Sequence, residues 1–167
     1  MKFIDIINEN WASLKKLINV KKPLFHATNS IVNILRDGYI KSSLDSISSF
    51  GGKQSGISMS RNLEVLTKDW RFGSVVLVLD ENMLKQKYKT LPLDYWKDKT
   101  PESFEFEERI LTEKIPIKKY LKGIVIDGYG KNKAYLNDWV SWKNKFNLSF
   151  DVIVKNGNKY MYAKDMI

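Results

Sequence analysis

The strongest constraint on the fold of this chain is the uninterrupted apolar run Val-Val-Leu-Val-Leu within residues 74–79. A half-buried strand alternates polar and apolar side chains, so a run without alternation is typical of a strand that is covered on both faces. Such a strand lies in the interior of a sheet. We therefore expect residues 74–79 to form the central strand of the fold.

Strand and helix patterns mix along the rest of the chain. Apolar side chains at the three-to-four spacing of a helix predict helices over residues 3–20 and 133–146. Asn29 or Ser30 is expected to cap a further helix that ends at Gly38. Strands are expected over residues 24–28, 39–42, 57–60, 103–112 and 123–126, and a C-terminal hairpin over residues 150–163. Shorter helical segments are expected over residues 62–70, 82–88 and 117–120.

Two segments are predicted to be irregular. Residues 43–56 are rich in Ser and Gly, which is typical of a flexible loop, and such a loop in a compact domain often covers a binding site. Residues 90–101 contain two prolines. Because no repeat or linker divides the 167 residues, we expect a single α+β domain with about seven or eight short strands.

Composition limits the chemistry that is available to this chain. The sequence has no cysteine, which excludes a disulfide framework, a thiolate nucleophile and a cysteine-based zinc site. It has a single histidine, which excludes a histidine-based metal cluster. Catalysis, if present, must therefore rest on carboxylates, hydroxyls or the backbone, with no metal.

The formal net charge of +9 indicates attraction to an anionic partner, such as nucleic acid, a nucleotide or an acidic protein surface. Only four of the 28 basic residues are arginine, and the lysines are scattered rather than clustered. The charge therefore favours general attraction over a specific nucleic-acid site. The first residues lack a long apolar run, so we expect a cytoplasmic protein without a membrane segment.

The segment 103–109, Ser-Phe-Glu-Phe-Glu-Glu-Arg, places two carboxylates together. A strand alternates faces, so Glu105 and Glu107 share one face while Phe104 and Phe106 take the other. Buried phenylalanines would anchor the strand and present both carboxylates at a fixed spacing. An ordinary amphipathic strand with a solvated acidic face has the same pattern, so this segment alone does not define a site.

Two more strands carry a polar pair at the same spacing. His26 and Thr28 alternate with Phe25 and Ala27, and Ser58 and Ser60 alternate with Ile57 and Met59. Each pair alone is more often structural than functional. If the three strands are neighbours, we expect their polar faces to form one cleft that suits a sugar-like ligand and stabilises positive charge on it.

The order of these motifs resembles the ADP-ribosyltransferase fold family. The resemblance rests on His-Ala-Thr in an early strand, a helix that ends at Asp-Gly, Ser-Met-Ser-Arg in a middle strand, and Glu-Phe-Glu-Glu-Arg-Ile-Leu late in the chain. It spans residues 24–126. It implies an ADP-ribosyltransferase-like split β-sheet core with peripheral helices, to which residues 1–20 add an N-terminal helix, and it implies NAD as co-substrate.

The resemblance also implies roles for individual residues. Glu107 would be the catalytic glutamate that binds the ribose 2'-hydroxyl, with Arg109 on the same face favouring its anion, and Glu105 would orient or deprotonate the acceptor. The backbone of Ala27 would hold the carboxamide, and Arg61 would reach a phosphate. The implied NAD-binding residues are His26, Ala27, Thr28, Ser58, Ser60 and Arg61.

The motif set is mixed relative to that family. Members with Glu-x-Glu usually have arginine where this chain has His26, and members with histidine usually have tyrosines where this chain has Ser58 and Ser60. Tyr39, Trp70 or Phe72 would then supply the aromatic face for nicotinamide.

Two functional interpretations follow from these motifs. The first is an NAD-dependent ADP-ribosyltransferase acting on a protein or nucleic-acid acceptor, such as a phage or mobile-element effector against a host factor. The second is a catalytically inactive, basic binding module on the same scaffold, which binds nucleic acid or an acidic protein.

Overall fold

The computed structural model describes residues 12–42, 56–68, 70, 72–93, 107–128 and 136–167. The described chain is an α+β fold with a mixed eight-stranded sheet, a two-stranded sheet and short helices. The strands are β1 Pro23–Thr28, β2 Tyr39–Lys41, β3 Ile57–Ser60, β4 Val75–Asp80, β5 Thr90–Leu93, β6 Glu107–Ile110, β7 Lys114–Pro116, β8 Leu121–Asp127, β9 Ile153–Asn156 and β10 Lys159–Tyr162. The helices are α1 over 12–17, α2 Ile31–Asp37, α3 Leu63–Thr67, α4 Glu81–Lys85, α5 Ile117–Tyr120 and α6 Leu136–Lys145, followed by a 3-10 turn Ala163–Met166.

The predicted central strand is confirmed. In the large sheet the strand order is β10-β9-β8-β4-β1-β3-β6-β5, so β4 lies in the interior between β8 and β1. Its residues Val76–Leu79 have no exposed surface. Leu77 and Leu79 pack into a first core on one face of the sheet, and Val76 and Val78 pack into a second core on the other. Burial on both faces explains why the run has no polar alternation.

The sheet is mixed because of one crossover. Strand β9 pairs parallel with β8, and α6 lies between them in the chain, as a parallel connection requires. All other recorded strand pairs are antiparallel. Helix α6 buries Trp139 and Trp142 in the first core. No helix in the described ranges combines the length and the apolar character that are needed to cross a membrane.

Several locally encoded elements agree with the sequence. Helix α2 ends at Gly38, which has a φ of 78° and donates its N–H to the carbonyl of Ile34, the usual C-terminal role of glycine. The hairpin β9–β10 turns at Gly157, with a φ of 59°. Helix α5, Ile117–Tyr120, has the same bounds as the helical segment that was predicted there. Residues 43–55 of the expected loop and 1–11 of the expected first helix lie outside the described residues.

Strands β5 and β7 differ from expectation. Residues 90–93 were expected to be irregular because of Pro92, yet they form β5, which pairs with β6 at the edge of the sheet. An edge strand tolerates proline because one side of it makes no ladder hydrogen bonds. Strand β7 pairs with β2 to form the small sheet, with Ile40 and Ile115 facing inward. Three residues are too few to show a periodic pattern in sequence.

Strands β1 and β3 meet at a seam, which we define as the join between these two strands. Six residue pairs keep β1 in register with β4, whereas one recorded pair, Phe25 with Ser60, joins β1 to β3. Strand β3 is again in full register with β6, through four pairs. The seam therefore divides the sheet into two well-paired halves, and the candidate site lies there.

Candidate functional site

The three predicted motif strands are neighbours in the order β1-β3-β6. Opposite residues of an antiparallel pair point to the same face of a sheet. Phe25 lies opposite Ser60, and Ser60 lies opposite Glu107. Phe25, Ser60 and Glu107 therefore form a row across the seam.

The expectation that all three polar pairs share one face is wrong. Ile57 and Met59 pack into the first core with Leu24, whereas Phe25 packs into the second core. Strand β1 thus presents Phe25 and Ala27, rather than His26 and Thr28, on the face that carries Ser58, Ser60 and Glu107. Alternation within each strand was predicted correctly, but the register between strands was not, because it is set by tertiary packing.

A small cavity nevertheless brings His26 together with the carboxylate. It has a volume of about 180 Å³ and is lined by Phe25, His26, Ala27, Ser58, Met59, Ser60, Leu66, Phe72 and Glu107. His26 lines this cavity although the register places it on the other face of β1. The lining combines apolar walls with an imidazole, two hydroxyls and one carboxylate, which is the composition of a polar-ligand site.

Glu107 is held by a cation on its own strand. Its side chain is 9% exposed, and its Oε1 accepts a hydrogen bond of 2.9 Å from Nη2 of Arg109. The spacing of two residues puts both on one face of β6, as expected from the sequence. A charge-assisted bond to a buried guanidinium fixes the carboxylate in one orientation at the cavity.

His26 has a defined tautomer. Its Nδ1 lies 2.9 Å from the backbone carbonyl oxygen of Ser58, and because a carbonyl only accepts, Nδ1 must donate. Burial lowers the pKa of the imidazole below its ordinary value of 6.5, and the hydrogen bond to Ser58 opposes that shift. The ring is therefore neutral at pH 7, with Nε2 as a hydrogen-bond acceptor.

Of the remaining predicted residues, some line the small cavity and others lie elsewhere. Ser58 and Ala27 line the small cavity, and Oγ of Ser60 accepts from the backbone N–H of Asn62 at 3.0 Å. Thr28 is 8% exposed, and its Oγ1 accepts from the N–H of Ser30 at 2.9 Å, where it supports the start of α2. Glu105 lies outside the described residues.

Arg61 is placed away from the small cavity. Its Nε lies 3.7 Å from Oε2 of Glu108, which faces the first core on the opposite side of β6 from Glu107. Arg61 does not line either cavity at the seam. Its expected contact with a phosphate stays a prediction.

Of the three aromatic candidates, Phe72 lines the small cavity beside Glu107. Trp70 packs against the second core, and Tyr39 lines a larger cavity. Phe72 precedes Gly73, whose φ of 145° favours glycine and at which a Cβ would lie 2.6 Å from the backbone of Thr28. Sequence reasoning missed Gly73, although a glycine directly before the central strand was a visible signal for a close backbone approach.

The larger cavity adjoins the small one and has a volume of about 470 Å³. The two share His26 and Ser58. Thr28, Tyr39, Lys41 and Arg109 are among the other lining residues of the larger cavity. Arg109 therefore links the two cavities, since its Nη2 binds the carboxylate of Glu107. Its role as a lining residue was not expected.

Chemically, the seam offers a fixed carboxylate, an acceptor nitrogen, hydroxyls and an aromatic face around one small volume. Among the described residues, no group of three His, Cys, Asp or Glu side chains could hold a metal ion. Comparison with protein-family profiles and with curated proteins gives no match to this chain.

Proposed function

We propose that this protein is an NAD-dependent ADP-ribosyltransferase with a split-sheet core of the ADP-ribosyltransferase type. The observation that carries the proposal is the small cavity at the seam, in which Glu107, Ser60, Ser58 and His26 surround one volume next to Phe72. These residues come from motifs that are spread over about half of the chain, and they meet at the seam between β1 and β3.

The proposed reaction breaks the bond between nicotinamide and C1' of the ribose, and its electron pair leaves with the nicotinamide nitrogen. The sugar carbon then carries developing positive charge, as in glycoside hydrolysis. A carboxylate that is already oriented stabilises this charge without reorganising. Arg109 binds Oε1 of Glu107, so we assign Oε2 to the ribose 2'-hydroxyl.

His26 and Phe72 position the nucleotide in this proposal. Nδ1 of His26 is committed to Ser58, so Nε2 is the atom that accepts a hydrogen bond from a ribose hydroxyl. Nicotinamide in NAD is an aromatic cation, and the face of Phe72 attracts such a ring. The backbone of Ala27 would hold the carboxamide, and the larger cavity would receive the rest of the dinucleotide.

The acceptor attacks C1' and loses a proton. Glu105 keeps its expected role as the base toward the acceptor, and that role is a proposal from the Glu-x-Glu pattern alone. In the absence of an acceptor, water would attack instead, so slow NAD hydrolysis is the simplest activity to measure.

The test is to incubate the purified protein with NAD and to measure the released nicotinamide by chromatography. Glu107→Gln keeps the shape and an acceptor oxygen for Arg109 but removes the charge, so we expect the rate to fall about 100- to 1,000-fold. Glu113→Gln is the matched control, because Glu113 is exposed and lies outside the small cavity. No nicotinamide release by wild type, or equal release by Glu107→Gln, would reject the enzyme and leave the binding module.

A further inference from the structure

The exposed face of the small sheet carries two like charges whose opposition costs stability. In the register of β2 and β7, Lys41 lies directly opposite Lys114, and both are exposed. Like charges directly opposite each other destabilise a sheet. Asp37 offsets part of this repulsion, since its Oδ2 lies 3.0 Å from Nζ of Lys41. We call Tyr39, Lys41 and Lys114 the lysine face.

Tyr39 adds an aromatic surface to the two lysines. Its side chain is 38% exposed, and Nζ of Lys114 lies 5.2 Å from the centre of its ring. Exposed Arg36, Lys118 and Lys119 lie close by in the chain, on α2 and α5, whereas the acidic residues of this stretch are Asp37 and Glu113. An aromatic ring among cations is the surface that single-stranded nucleic acid uses, with bases stacked on the ring and phosphates on the lysines.

The lysine face borders the candidate active site. Tyr39 and Lys41 line the larger cavity, which shares His26 and Ser58 with the cavity that contains Glu107. A single strand of nucleic acid that lies on the lysine face can therefore direct one of its bases toward the seam. A duplex cannot do so, because its bases are stacked and paired.

We infer that the lysine face binds single-stranded nucleic acid and that the acceptor of the proposed reaction is a nucleic-acid group. The acceptor assignment rests on the proposed function, whereas the binding does not. An acidic protein would satisfy the lysines but would not stack on the exposed ring of Tyr39.

The first test is binding of a labelled single-stranded oligonucleotide of about 12 nucleotides, as DNA and as RNA, by fluorescence anisotropy without NAD. Lys114→Glu should weaken binding about tenfold and reduce the magnitude of the salt slope by at least about 0.7, the value for one lost phosphate contact. The same change replaces repulsion of Lys41 by attraction but removes the contact of Lys114 with the ring of Tyr39, so the melting temperature should stay close to that of wild type. A lysine with a purely structural role would not lower the affinity while stability stays constant.

Matched variants isolate the lysine face. Lys159→Glu makes the same change of charge at an exposed residue of β10, an edge strand of the large sheet, and should bind like wild type. Tyr39→Ala should weaken binding about tenfold, and Tyr39→Phe should restore it, because the ring and not the hydroxyl stacks. Equal weakening by Lys159→Glu and Lys114→Glu, no effect of Tyr39→Ala, or equally strong competition by polyglutamate would overturn the inference.

The two proposals fail separately. Glu107→Gln should lower nicotinamide release about 100- to 1,000-fold and leave oligonucleotide binding unchanged, because Glu107 is not part of the lysine face. Binding without Glu107-dependent NAD cleavage would reject the enzyme alone. NAD cleavage without oligonucleotide binding would reject the nucleic-acid face alone.

Discussion

Glu107 and Glu108 are adjacent, both buried and both paired with cations, yet they occupy different environments on opposite faces of β6. Glu107 faces the small cavity and binds Arg109, whose side chain is only 11% exposed. Glu108 faces the first core and lies near Arg61 and Lys85, whose side chains are 37% and 43% exposed. One carboxylate has a fixed, buried partner beside an open volume, and the other has partners that reach solvent.

Burial alone therefore does not distinguish the candidate catalytic carboxylate from a structural one. Nζ of Lys85 lies 3.3 Å from Oε1 of Glu108 without hydrogen-bond alignment, and it also binds Glu81. The hydrogen bond from Lys85 to Glu81, together with the charge of Glu108, raises the pKa of Lys85. Glu108 thus joins the end of α4 to β6, which is a structural role. Glu107 has the accessible volume that a substrate needs.

The largest expected effect concerns Arg109. Arg109→Met leaves Glu107 buried without its cation, so we expect the free energy of unfolding to fall by about 3–5 kcal/mol in urea denaturation. Adding Glu107→Gln should recover part of that loss, because the uncompensated charge is then gone. If the double variant is no more stable than Arg109→Met, the two side chains are not energetically coupled and Glu107 does not depend on a fixed, buried cation.

A smaller effect is expected for Glu108. Glu108→Gln should lower the free energy of unfolding by about 1–3 kcal/mol, since its former partners can turn to solvent. Nicotinamide release per folded molecule should stay close to wild type, in contrast with Glu107→Gln. A loss of release in Glu108→Gln, with the fold intact by circular dichroism, would show that the two faces of β6 are not functionally distinct.

The smallest effect concerns His26. The register of the strands places His26 on the face of the sheet that carries Glu108, although His26 lines the small cavity that contains Glu107. A pKa lowered in the folded state means that the unfolded chain binds the proton more tightly, so stability should decrease as the pH falls through 6.5. His26→Gln should remove this part of the pH dependence, measured by urea denaturation between pH 5 and pH 8 (roughly the titration range of histidine). Identical pH profiles for both proteins would place the imidazole in solvent.

Sequence alone was enough for elements that are encoded locally. The apolar run of β4 marked the central strand, and Gly38 and Gly157 marked a helix end and a hairpin turn, because each depends on a few neighbouring residues. The pairing of Glu107 with Arg109 was also predictable, since both lie on one strand.

Features that depend on how strands meet were not predictable. The sequence shows alternation within β1 and within β3, but not that Phe25 lies opposite Ser60, which sends His26 to the other face. The position of Arg61 beside Glu108 follows from the same register. Strand β5 was missed because Pro92 disfavours a central strand, and edge position cannot be read from a local pattern.

The seam has a mechanical consequence. Because one recorded residue pair joins β1 to β3, while six join β1 to β4 and four join β3 to β6, we expect the sheet to bend at the seam before either half loses its pairing. Such bending would change the width of the small cavity. Backbone amides along β4 should therefore exchange with deuterium far more slowly than those of β3 that face β1, and a nucleotide bound in the small cavity, as proposed above, should reduce that difference.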